Sequence, residues 1–175
     1  MRRLLILGAV WAATVAAPAV ADETAAMRAA AGGFYGVYQA LHPSGLPGDA
    51  DRAKFAPFLS PGLEGLLRQG AAAEARFVAA HKGAPPLVEG DLFTSLFEGA
   101  SAVTVGACAA AGPGGQCAVT LSYSDGTSKQ AWTDTVYLVN TPGGWRVDDI
   151  GYGGGWDFGN KGRLSQVLKQ VIGFP

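Results

Sequence analysis

From residue 24 to 41 the apolar positions recur at steps of three and four: Met27, Ala30, Ala31, Phe34, Val37, Tyr38 and Leu41 fall on one side. This spacing predicts an amphipathic helix. Gly32, Gly33 and Gly36 each weaken it by up to about 1 kcal/mol relative to alanine. Packing must therefore hold it, and a close approach of the helix to a sheet would explain the glycines. His42 to Gly48 reads as a loop, punctuated by Pro43, Gly45, Pro47 and Gly48. A short helical piece is expected around Arg52 to Phe55. Ser60 then reads as an N-cap with Pro61 at the first helical position. The helix that follows is expected to reach His81 with Leu63, Leu66, Leu67, Phe77 and Val78 inward, stopped by Gly83, Pro85 and Pro86.

Beyond residue 86 the period shortens to two. Ala102 to Gly106 alternates, and so does Ala118 to Tyr123, as half-buried strands do. Ser124-Asp125-Gly126 is a turn signal. Gln130 to Val139 reads as a longer strand, Asn140 to Gly144 as a turn, and Trp145 to Tyr152 as the next strand. Gly153-Gly154-Gly155 bends the chain into a last helix from about Lys161 to Ile172, with Leu164, Val167, Leu168 and Val171 inward. Helices first, an antiparallel meander next and a closing helix make an α+β domain.

Composition narrows the classes. Of 175 residues, 49% are hydrophobic and 15% charged, with 13 Lys+Arg against 14 Asp+Glu. Such a chain buries enough apolar surface to fold. It lacks the positive excess that nucleic-acid binding needs. The first 21 residues read as a secretory signal: Arg2 and Arg3, the apolar run Leu4 to Ala17, the break at Pro18, and Ala19-Val20-Ala21 as the cleavage site. A single membrane anchor is the competing reading, but the run is marginal in length. Cleavage leaves residues 22–175 as one domain, with 11 basic against 14 acidic side chains and no later span. Periplasmic or secreted residence follows.

Cys108 and Cys117 are the only cysteines. An even count in an exported chain suggests a disulfide, here with residues 109–116 as a hairpin loop and the sulfurs facing across adjacent strands. A redox pair is the alternative, without C-x-x-C spacing to support it.

Candidate chemistry is sparse. His42 and His81 are far apart and lack grouped spacing, so no metal site is expected, and no cofactor. Neither a G-x-S-x-G elbow nor a phosphate-binding loop occurs. Gly151-Tyr152-Gly153 starts like a dinucleotide fingerprint but reaches Trp156 where glycine is needed. The acids on the last two strands are the sharper candidates. If Leu138 pairs with Trp145, Asp134 lies opposite Asp149, and one carboxyl of such a pair is pushed toward its neutral form. A one-residue slip puts Asp134 by Ile150 instead. The plainer reading is that these acids end strands, bond loop N–H groups, or pair with Arg146 or Lys161. Tyr152, Trp156 and Phe158 read as core and lid packing, or as the mouth of a pocket. Trp132, Asp134, Asp149, Tyr152 and Trp156 are thus the candidate binding residues, and Asp134 and Asp149 the candidate catalytic ones.

Glu89-Gly90-Asp91-Leu92-Phe93-Thr94, then Trp132-x-Asp134-x-Val136-x-Leu138, then Gly143-Gly144-Trp145-Arg146-Val147-Asp148-Asp149-Ile150-x-Tyr152 resembles the bacterial domain-of-unknown-function family 3828. The resemblance spans roughly residues 30 to 172. It implies a small envelope protein similar to the nuclear-transport-factor-2-like superfamily, in which a curved sheet wraps round helices as a cone. It also implies one of two functions. The first is a non-enzymatic module binding a small ligand or envelope protein. The second is a cofactor-free isomerase or dehydratase using a cavity Asp, for which Asp134 and Asp149 are the acids available. A periplasmic inhibitor or immunity-type protein, working through an exposed patch near Trp156 and Phe158, is a further expectation. The superfamily also leaves a homodimer open.

Overall fold

The computed structural model describes residues 17–175, with side chains from Ala21 onward. The leader reading of residues 1–21 lies outside them, apart from the last five residues, which belong to the first helix. The elements are α1 (Ala17–Leu41), α2 (Asp49–Phe55), α3 (Pro61–Ala80), β1 (Ala102–Ala111), β2 (Gly114–Ser124), β3 (Lys129–Thr141), β4 (Gly144–Gly151) and α4 (Leu164–Ile172). A 3₁₀ turn, Ala56–Phe58, follows α2. The four strands form one curved antiparallel sheet in the order β1-β2-β3-β4. The fold is α+β, as the change of period requires. No helix of the described residues is long and apolar enough to cross a membrane.

One face of the sheet is covered. Val119, Leu121, Trp132, Val136, Leu138, Val147 and Ile150 point inward and are buried. Against them α1 sets Met27, Ala31, Phe34, Tyr35 and Tyr38, all buried. Thr104, Ala118, Thr120 and Thr133 on the opposite face are exposed, so the period-two pattern separates core from solvent. On α3, Leu63 and Leu67 are buried as expected, but Leu66 and Phe77 are only half-buried and Val78 is exposed. Beyond Leu67, α3 meets α4, the C-terminus and the loop residues Leu46 and Pro86 rather than the core of the sheet. Phe77 meets Phe174 there, edge to face at 5.3 Å.

The glycines of α1 have a different explanation from the one expected. Open space surrounds Gly32 and Gly36, whereas a side chain at Gly33 would run into the Phe58 ring of the 3₁₀ turn. The close approach to the sheet occurs instead at Gly115 of β2, which lies against Met27 Sδ. Ser60 caps α3 as expected. Its Oγ accepts from Leu63 N at 3.0 Å and donates to Asp148 Oδ1 at 2.6 Å.

Cys108 and Cys117 are joined by a disulfide directly across β1 and β2. The intervening loop is shorter than its composition suggests: the strands run on to Ala111 and from Gly114, leaving only Gly112-Pro113 as the turn. The β3–β4 turn is likewise only Pro142-Gly143, and this overturns both expected registers. Leu138 pairs with Val147 and Asn140 with Trp145. A bulge then interrupts the pairing, so that Tyr137 faces Asp149 and Val136 faces Ile150. The extra residue turns Ile150 into the core and Asp149 out of it. Asp134 and Asp149 therefore do not form a carboxylate pair.

Candidate functional site

A cone-shaped fold offers a site if its interior is hollow. Here the interior is filled. Phe34, Phe55 and Phe93 pack together, with ring centroids 4.9 to 5.3 Å apart. Phe93 arrives on the irregular segment 91–100, which the chain threads between helices and sheet. Leu92, Phe93, Thr94, Ser95 and Leu96 are all buried.

A buried irregular segment must satisfy its own peptide groups, and each partner here is a specific side chain or turn. Asp91 Oδ1 accepts from Phe93 N and Thr94 N, both at 2.7 Å. Asn160 Nδ2 donates to Asp91 O and Thr94 O, both at 2.7 Å. Tyr152 Oη donates to Leu92 O at 2.7 Å. Ala100 N donates to Tyr38 Oη at 2.7 Å.

Asp134 belongs to the same stitching. It is 0% exposed. Its Oδ2 accepts from Ser95 N at 3.0 Å and Trp132 Nε1 at 3.1 Å. Its Oδ1 accepts from Ser95 Oγ and from Gly153 N at 2.8 Å. Four donors occupy the two oxygens. Trp156 stacks edge-on to Trp132 at 5.2 Å. The structure thus gathers Trp132, Asp134, Tyr152 and Trp156 of the expected set around segment 91–100. Asp149 stands apart with other partners. Its Oδ1 accepts from Ser165 N at 2.9 Å, its Oδ2 accepts from Ser165 Oγ at 2.7 Å, and Arg163 lies 3.6 Å away. A carboxylate placed on the first turn of α4 satisfies a free N–H and favours the helix dipole. Phe158 is 65% exposed.

An open concavity lies elsewhere. A groove of about 610 Å³ runs between the loop after α1 and the segment 86–98, lined by His42, Leu46, Glu74, Val88, Glu89, Asp91, Phe97 and Glu98 among others. His42 ends α1 at φ 42°, a left-handed position that usually takes glycine or asparagine. Burial pushes the Asp91 carboxyl up to about 6, against the pull of its hydrogen bonds from Tyr38, Phe93 and Thr94. Burial also raises Tyr38 and Tyr152, helped by the neighbouring Asp91 carboxylate.

No protein-family model, curated protein or solved structure matches this chain.

The groove residues escape sequence reasoning for a physical reason. Apart from Glu74 on α3, they lie on two stretches without periodicity, 42–48 and 83–101, so nothing marks them as facing one another. The available signal was weak: three acids, Glu89, Asp91 and Glu98, interleaved with Gly90 and Gly99. Both glycines have positive φ, and a side chain at Gly99 would crowd Asp91 and Tyr38. Among the described residues, no three or more His, Cys, Asp and Glu side chains are grouped as a metal ion requires.

Proposed function

We propose that this chain is an exported, non-enzymatic binding protein of the envelope, and that it takes its ligand or partner protein in the groove beside His42 and Phe97. The family-3828 resemblance is part of this proposal, and the curved sheet with helices on one face is compatible with it. The disulfide supports an oxidising compartment. One observation carries the functional reading: the interior is packed by segment 91–100, and Asp134 and Asp149 spend their oxygens on protein donors. A general acid or base must reach a substrate proton, and these two are directed at backbone and side-chain donors. The groove, by contrast, is open, and its Glu89 and Glu98 side chains are exposed.

Site-specific photocrosslinking tests the reading. A photoreactive residue at Phe97 should capture an envelope component, and the same residue at Thr120 on the open sheet face should not. Capture from Thr120 alone overturns the groove assignment. Turnover of a small molecule that disappears in a folded Asp149→Asn variant overturns the non-enzymatic reading.

A further inference from the structure

We infer that the groove holds an extended segment of a partner polypeptide in which arginine or lysine side chains alternate with apolar ones. This rests on the binding-protein reading above and adds the chemistry of the occupant.

The shape favours a chain over a small molecule. Small-molecule pockets enclose most of their ligand, whereas this groove is open along its length and shares walls with its neighbours. Leu46, Glu74 and Pro86 also wall a depression of about 510 Å³ that holds Val78. Val88 and Glu89 also wall one of about 280 Å³ that holds Phe174. Among the described residues the exposed large apolar side chains are Val78, Phe97, Phe158 and Phe174, and three of these four stand in this connected system. Exposed apolar groups concentrated in one place mark an interaction surface.

The charge selects the partner. The ionisable groups lining the main groove are Glu74, Glu89, Asp91 and Glu98, with His42 as the single basic one. Glu89 and Glu98 are exposed, and neither takes part in the ion pairs found among the described residues. A basic segment is steered to such a surface and an acidic one repelled. The Phe97 ring, 46% exposed, offers a face on which a guanidinium can stack. The apolar positions of the segment would meet Leu46, Val88 and Phe97.

The test uses protein purified from cells expressing the full chain. The probes are three fluorescein-labelled heptapeptides that alternate leucine or phenylalanine with arginine, glutamine or glutamate. The arginine peptide should bind at least tenfold more tightly than the glutamine peptide, and the glutamate peptide more weakly still. Binding should weaken severalfold between about 50 and 300 mM salt, as the Debye length shortens. Amide shifts on binding should map to residues 42–46, 86–91 and 97–98. Glu89→Lys with Glu98→Lys should lower the arginine peptide's affinity at least tenfold, with an unchanged circular dichroism spectrum because both side chains are exposed. If the glutamine peptide moves the groove amides with equal affinity, the basic occupant is wrong and the binding reading stands. If no peptide moves them while Phe97 still crosslinks, this inference alone falls. If crosslinking from Phe97 fails too, both fall.

Discussion

Two buried carboxyls show how the same residue type serves opposite ends. Asp134 sits among four donors. Asp134→Asn turns one acceptor oxygen into a donor facing donors, which leaves buried groups unpaired. The expected cost is about 2–4 kcal/mol, read as a fall in the urea midpoint with the unfolding slope unchanged. Asp91 is different because burial outweighs its hydrogen bonds and lifts its carboxyl to about 6, from an ordinary value of 3.8. The folded chain therefore holds a proton that the unfolded chain has released between those two pH values. The stability contributed by this proton is fully present below about pH 4 and is lost as pH rises through about 6, a change on the order of 2–3 kcal/mol. Asp91→Asn keeps an acceptor for Phe93 and Thr94 but does not titrate. Urea midpoints measured between pH 4 and 7 should fall with pH in the parent and fall less in this variant. An identical pH dependence in both would show that Asp91 is ionised throughout.

Among the elements, the strands carried the plainest sequence signal and the turns the poorest. Alternation located β1 to β4, since a half-buried strand must alternate, and Ser60-Pro61 marked the start of α3. The register of β3 on β4 depended on a two-residue turn and on a bulge beside Asp149. No local preference identifies which residue of a strand will be left unpaired; the docking of α4, which Asp149 caps, decides it. The β1–β2 hairpin is pinned by Cys108–Cys117, which closes a loop with a sequence separation of 9. A loop that short restricts the unfolded chain by about 2–3 kcal/mol. Paired Cys108→Ala and Cys117→Ala substitutions should lower stability by that amount without changing the strand content seen by circular dichroism. A loss of strand signal would mean that the bridge directs the hairpin rather than reinforcing it.

At the scale of the molecule, segment 91–100 fills the space between the helices and the sheet. Its tethers run to α1 through Tyr38, to β3 through Asp134, and to the loop before α4 through Tyr152 and Asn160. Its amides should therefore behave like core amides despite their irregular backbone. Phe93, Thr94 and Ser95 should exchange hydrogen with solvent as slowly as Val119 and Leu121 on β2, by global unfolding alone. Exchange a hundredfold faster would show that the segment opens separately and that the interior can be emptied. The sequence by itself determined the α+β class, the order of helices and strands and the cysteine pair, because each follows from local periodicity, capping or count. Only the tertiary structure decided that Asp134 is stitched to Ser95 and Gly153, that Asp149 caps a helix, and that His42 and Glu98 share one groove. Those outcomes join residues as many as 56 positions apart, and such contacts are fixed by how the whole chain packs.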